Sequence, residues 1–148
     1  MESIIGESFR KGKDTVSLDS VMQAKDFIAV YFGAHWAPPC RLFTPQLAEF
    51  YKKINSDAFR MEVIFCSIDG SPEAFERNFA DMPWSAVPYS EDQRIQNLKQ
   101  KFGINGLPTL IVLDKRGDIV SYDGRLDIQN HQEGAFEIWQ KKAASMIQ

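Results

Sequence analysis

Two runs in this chain, Phe27 to Gly33 (Phe-Ile-Ala-Val-Tyr-Phe-Gly) and Val63 to Ile68 (Val-Ile-Phe-Cys-Ser-Ile), are almost continuously apolar and rich in β-formers. A strand solvated on one face alternates polar with apolar residues. A run without that alternation reads as a strand covered on both faces, the usual state in a parallel sheet. Parallel strands need a crossover connection, and Pro38 to Ile54 supplies one. Leu42, Leu47, Phe50, Tyr51 and Ile54 recur there at helical spacing, and Pro38 and Pro39 suit a first helical turn. The centre of the fold is therefore a βαβ unit. Pro45 lies inside the helical pattern and removes one backbone donor, which predicts a bend near Arg41 to Thr44 rather than an end.

The remaining elements follow from caps and periods. Ser71-Pro72-Glu73 combines an N-cap, a proline at the first helical position and an early acid. With Phe75, Phe79 and Met82 on one face, it predicts a helix to about Asp81. Glu91 and Asp92 start another, burying Ile95, Leu98 and Phe102. Thr109 to Leu113 and Ile119 to Tyr122 flank the turn Asp114-Lys115-Arg116-Gly117 and should form an antiparallel hairpin. Phe136 to Met146 closes the chain as a helix. The fold class is α/β, a central mixed β-sheet flanked by helices on both faces. A chain of 148 residues, 44% hydrophobic, fills one core and is too short for two, so residues 1–148 form a single domain without repeat, low-complexity tract or linker.

Charge and hydropathy exclude several function classes. The 17 basic and 20 acidic residues leave a net charge of -3 with no basic run to follow a phosphate backbone, so nucleic acid is not an expected partner. No stretch approaches the roughly 20 apolar residues that cross a bilayer. Met1 to Asp14 lacks the apolar core of a secretory signal. The expectation is a soluble, cytoplasmic or nuclear protein with no membrane partner. Cys40 and Cys66 are too few for a disulfide scaffold, and Cys66, within Val63-Ile64-Phe65, reads as core. His35 and His131 stand far apart without Asp or Cys at ligand spacing, so neither a metal nor another cofactor is expected.

Chemistry concentrates between the first buried strand and its helix. Gly33 to Arg41 places a tight turn, two prolines and a cysteine at a helix N-terminus, where unpaired N–H groups and the macrodipole favour a thiolate. Cysteines three apart around such a turn can close a disulfide, since one helical turn brings their Cα atoms to roughly 5 to 6 Å. Position 37, where the exposed nucleophile would stand, is Ala37; Cys40 holds the resolving position.

Three blocks carry a resemblance. Ala34-His35-Trp36-Ala37-Pro38-Pro39-Cys40-Arg41 followed by Phe43-Thr44-Pro45-Gln46-Leu47 resembles the Trp-Cys-Pro-Pro-Cys-Arg segment of nucleoredoxins and tryparedoxins with one change. Met82-Pro83-Trp84-Ser85-Ala86-Val87-Pro88-Tyr89 is similar to their Met-Pro-Trp-Leu-Ala-Val-Pro stretch, and Gly106-Leu107-Pro108-Thr109-Leu110 to their cis-proline loop. The likeness runs from about Ile4 to Trp139. It implies a thioredoxin fold and a dithiol-disulfide oxidoreductase in which the first cysteine attacks a partner disulfide and the second resolves the mixed disulfide. It also implies a groove in which Leu107, before a cis Pro108, pairs with an extended partner strand while Trp36, Pro38, Pro39 and Trp84 offer contact area. Tyr31 stands where thioredoxins keep a buried acid, as in the tryparedoxins.

Ala37 stops that cycle at its first step, because thiol exchange needs a thiolate at the point of attack and a methyl group offers none. The expectation is a chain with little or no turnover of its own. Ala37 reads either as the native residue of a redox-silent member or as a replacement made in an active one. Traps for mixed disulfides normally keep the attacking thiol, which favours the first. Three roles follow: an oxidoreductase scaffold active in its two-cysteine form on protein disulfides, a binding module using the groove between Trp36 and Leu107, or a structural subunit with an apolar face on Phe136 to Trp139. The chain is expected to be a monomer unless an assembly recruits it. Asp69, at a strand end, reads as the cap of the following turn.

Overall fold

Side-chain alternation decides how the central strands are covered. In the computed structural model, which describes residues 1–147, Phe27, Ala29 and Tyr31 join one apolar cluster while Ile28, Val30 and Phe32 join another. These residues belong to β3 (Phe27–Gly33), every residue of which is buried, as is every residue of β4 (Met61–Ser67). The two pair in parallel, Val30 opposite Ile64, and α3 (Pro38–Ile54) is the crossover between them. The helix continues through Pro45, whose missing N–H leaves the carbonyl four residues earlier without its helical partner.

Among the described residues the sheet has seven strands in the order β2-β1-β5-β4-β3-β6-β7. The others are β1 (Ser8–Lys11), β2 (Asp14–Ser17), β5 (Ser85–Ala86), β6 (Thr109–Asp114) and β7 (Ile119–Ser121). β6 runs antiparallel to β3, with Phe32 opposite Thr109, and β7 antiparallel to β6, which makes the sheet mixed. One face is covered by α3, α4 (Pro72–Phe79) and α7 (Gly134–Met146), whose Phe43, Leu47, Phe75, Phe79, Phe136 and Trp139 pack over Phe27, Tyr31 and Phe65. The other face is covered by α5 (Asp92–Lys101), through Ile95 and Leu98, and by the N-terminal segment with α1 (Glu2–Ile5) and α2 (Leu18–Val21). Each large side chain so enclosed is worth about 1.5 to 3 kcal/mol of transfer free energy. No described helix is long and apolar enough to cross a membrane.

The structure corrects the suggested apolar face on the last helix. Phe136 and Trp139 turn inward, their rings edge-on to Phe27 at 5.3 and 6.1 Å, and only Ile138 of that apolar set is exposed. A further helix, α6 (Gly124–His131), precedes α7 and lies beside α3, with Gln129 Nε2 donating to Gln46 Oε1 at 3.1 Å.

Candidate functional site

β3 delivers the chain to the site through Gly33, which lies against Tyr31 so closely that a Cβ there would stand 3.0 Å from the tyrosine ring and hydroxyl. After the turn at Ala34 to Trp36, α3 begins with Ala37 as its N-cap, in extended backbone and without a side-chain cap. Pro38 and Pro39 have no N–H. The N–H groups of Cys40 and Arg41 both turn back to the Ala37 carbonyl, at 2.9 and 3.4 Å, and the Ala37 N–H bonds the Ala34 carbonyl at 3.2 Å. The expected cradle of unpaired N–H groups is therefore absent from this first turn. What remains to favour an anion is the macrodipole of a 17-residue helix and the positive side chains around it.

Positions 37 and 40 stand one helical turn apart, the spacing at which a disulfide closes. Both are covered: Ala37 is 6% exposed and Cys40 2%. Burial pushes the Cys40 thiol up; a backbone hydrogen bond at Ala34 and the charges of Arg125 and Arg41 pull it down, while Asp69 adds to the rise. The net effect is upward, so Cys40 is a thiol at neutral pH. Cys66 is wholly enclosed in β4, and burial pushes it up to about 12.

The end of β4 holds the loop in front of the helix. Asp69 accepts the His35 backbone N–H at 2.9 Å, the Ser67 hydroxyl at 2.6 Å and the Asn78 amide at 3.1 Å, while Tyr89 donates its hydroxyl to the Asp69 carbonyl. Trp36 is 61% exposed, yet its Nε1 donates to the Ile68 carbonyl at 3.0 Å. Arg41 closes the loop from the helix side through Nη1 to the His35 carbonyl at 2.7 Å. None of these side-chain bonds lies in the turn after Asp69, which corrects its reading as the cap of that turn. The bond to His35 joins positions that no local pattern in the sequence connects.

Opposite the loop, the Leu107-Pro108 peptide is cis, Leu107 is half-buried and Pro108 buried. The Phe32–Thr109 pair sets this segment beside the end of β3. Trp36, Pro38 and Pro39 are exposed. Trp84 is not. It is 0% exposed, enclosed edge-on by Tyr31 at 6.3 Å and Tyr51 at 5.6 Å, which corrects its reading as a contact residue. Tyr31 is buried too, its hydroxyl 2.6 Å from Thr44 Oγ1, and burial raises its pKa. Thr44, a polar residue between Phe43 and Pro45, carried no sign of this role in the sequence.

Between α3 and α4 opens a pocket of about 240 Å3 lined by His35, Cys40, Arg41, Arg77, Asn78 and Asp81, among others. Among the described residues no three His, Cys, Asp or Glu side chains gather as a metal site.

The chain that builds this site has relatives among known proteins. The thioredoxin-like family matches residues 25–119. This chain belongs to the thioredoxin-like family. Within it, the chain is similar to nucleoredoxins and tryparedoxins. It is 42% identical to nucleoredoxin of Mus musculus over 126 residues, 85% of this chain and 29% of that protein. To nucleoredoxin of Danio rerio it is 39% identical over 138 residues, 93% of the chain and 32% of that protein. The chain thus spans about a third of the length of these relatives. Native tryparedoxin I from Crithidia fasciculata superposes with a TM-score of 0.80 at 39% identity, over 86% of this chain and 88% of that one. The thioredoxin-like fold therefore extends well beyond the matched segment.

Proposed function

We propose that this chain is a protein-disulfide oxidoreductase scaffold whose attacking-thiol position is held by Ala37, so that it binds disulfide partners but does not turn them over. The observation that carries the reading is the pairing of Ala37 and Cys40 across the first turn of α3, at disulfide spacing, with Cys40 buried and protonated. In the two-cysteine form a thiolate at position 37 attacks one sulfur of the partner disulfide, a mixed disulfide forms, and the other partner sulfur leaves as a thiolate that takes up a proton. Cys40 then loses its proton, attacks the mixed disulfide and releases the second partner thiol. The site is left as an internal disulfide, which an external dithiol reduces with two electrons. Ala37 cannot make the first bond, and Cys40 in its buried, protonated state is not poised to replace it.

Trp36, Pro38, Pro39, Leu107 and Pro108 would receive the partner as an extended segment, with the Leu107 backbone supplying strand-like hydrogen bonds. Such a reductase works as a monomer in a reducing compartment, the cytoplasm or the nucleus, where dithiol reductants are maintained. The test is reduction of insulin by dithiothreitol in the presence of this chain or its Ala37→Cys version. Acceleration by the second and not the first is expected. Acceleration by neither would remove the oxidoreductase reading.

A further inference from the structure

Three arginines surround the start of α3, one on each of three helices: Arg41 in its first turn, Arg77 on α4 and Arg125 on α6. Arg41 and Arg77 line the same pocket as His35 and Cys40, against a single carboxylate, Asp81. Arg125, half-buried, comes close enough for its charge to act on both Cys40 and Tyr31. None of the three forms an ion pair among the described residues, although Arg10, Arg94 and Arg116 elsewhere do. The buried Asp69, whose charge also acts on Cys40, is held by His35, Ser67 and Asn78 and forms no ion pair with any of the three. In a chain of net charge -3, the start of α3 thus sets three guanidiniums against two carboxylates, Asp69 and Asp81, a local excess of positive charge. Unpaired guanidiniums on either side of a contact surface recognise carboxylates and steer an oppositely charged partner toward it.

We infer that the partner segment received at this site is acidic, an extended stretch carrying Asp or Glu beside the disulfide, with its carboxylates meeting Arg41 and Arg77 on the α4 side of Trp36. The inference rests on the proposed function and names the partner class for the same site. Like charges on such a segment would be repelled by the same three arginines, so discrimination comes from both terms.

The Ala37→Cys version tests it with dithiothreitol as reductant and two disulfide-linked peptide dimers, identical around the cystine but flanked by glutamates or by lysines. After subtraction of the direct reaction with dithiothreitol, the glutamate-flanked dimer should have a kcat/KM about tenfold higher at low salt, the two converging at high salt as screening removes the difference. Adding Arg77→Glu, on an exposed position, should cut the ratio at least by half, whereas Lys101→Glu, the same charge change on α5 across the sheet, should leave it. Equal rates for the two dimers, or a preference for lysine, would overturn the inference while leaving the oxidoreductase reading intact. Failure to reduce either dimer would overturn both.

Discussion

Asp69 Oδ1 accepts the backbone N–H of His35 at 2.9 Å, joining the end of β4 to the loop before α3 across 34 residues of sequence. With the bond from Trp36 Nε1 to the Ile68 carbonyl, it fixes the approach to the motif from two adjacent residues of one strand end. Asp69→Ala removes the acceptor for His35, Ser67 and Asn78 at once. A loss of about 1 to 3 kcal/mol is expected, since buried donors are left unpaired. Urea unfolding should report it, and in the Ala37→Cys background insulin reduction should fall as the loop loosens. Asp69→Asn, which keeps an acceptor oxygen, should lose less.

Glu62 is 1% exposed and accepts from Tyr51 Oη at 2.9 Å, Ser85 Oγ at 2.9 Å and Lys11 Nζ at 2.9 Å, tying β4 to α3, β5 and β1. Glu62→Ala orphans the buried Tyr51 and Ser85 hydroxyls, while the partly exposed Lys11 ammonium keeps water, and should destabilise by about 2 to 4 kcal/mol in chemical unfolding. Ser85→Ala, which removes one donor and leaves those of Lys11, Tyr51 and Val63 in place, should cost well under half as much.

Trp36 is the exposed tryptophan, whereas Trp84 and Trp139 are enclosed. Iodide should therefore quench one component of the intrinsic fluorescence and leave the rest. In Trp36→Phe the quenchable component should vanish with little change in melting temperature, because the indole contributes one hydrogen bond at the surface.

Stability should decline with alkaline pH through Cys66. Its thiol, ordinarily at 9.0, is pushed up to about 12 by burial, so the folded chain holds this proton more tightly than the unfolded one. The contribution is complete below about pH 9 and is lost progressively as pH rises toward 12. Cys66→Val is close in volume and should change stability by less than about 1.5 kcal/mol at pH 7. It should show a shallower fall above pH 9, measured as the urea midpoint at each pH.

Why some of this was legible in the sequence and some was not has a physical basis. β3 and β4 announce themselves because burial on both faces leaves Phe27 to Gly33 and Val63 to Cys66 almost continuously apolar, although β4 also buries Glu62, and α3 because of its apolar stripe. The hairpin of β1 and β2 gave no such signal. It buries one side chain, Phe9, and is recognisable mainly by the Gly12-Lys13 turn, with Gly12 at φ +59. β5 is two residues long and exists through its neighbours, and α6 buries only Gly124 and Ile128. The resemblance offers Trp84 as a contact residue, but the tyrosines that enclose it come from β3 and α3, which only tertiary packing brings together. The motif itself is contiguous and so visible; the clamp that positions it is built from residues brought together only by the parallel pairing of β3 with β4.

The most direct measurement is the intact mass of this chain and of its Ala37→Cys version after incubation with glutathione disulfide at neutral pH, with the bonded sulfurs located by peptide mapping. The account predicts that the Ala37→Cys version loses two hydrogens, forming an internal disulfide between position 37 and Cys40 while glutathione disulfide is reduced to two thiols. It predicts that the Ala37 chain gains no adduct. A glutathione adduct on Cys40 of the Ala37 chain, formed as fast as the internal disulfide of the other, would contradict it, since the buried thiol would then be the nucleophile.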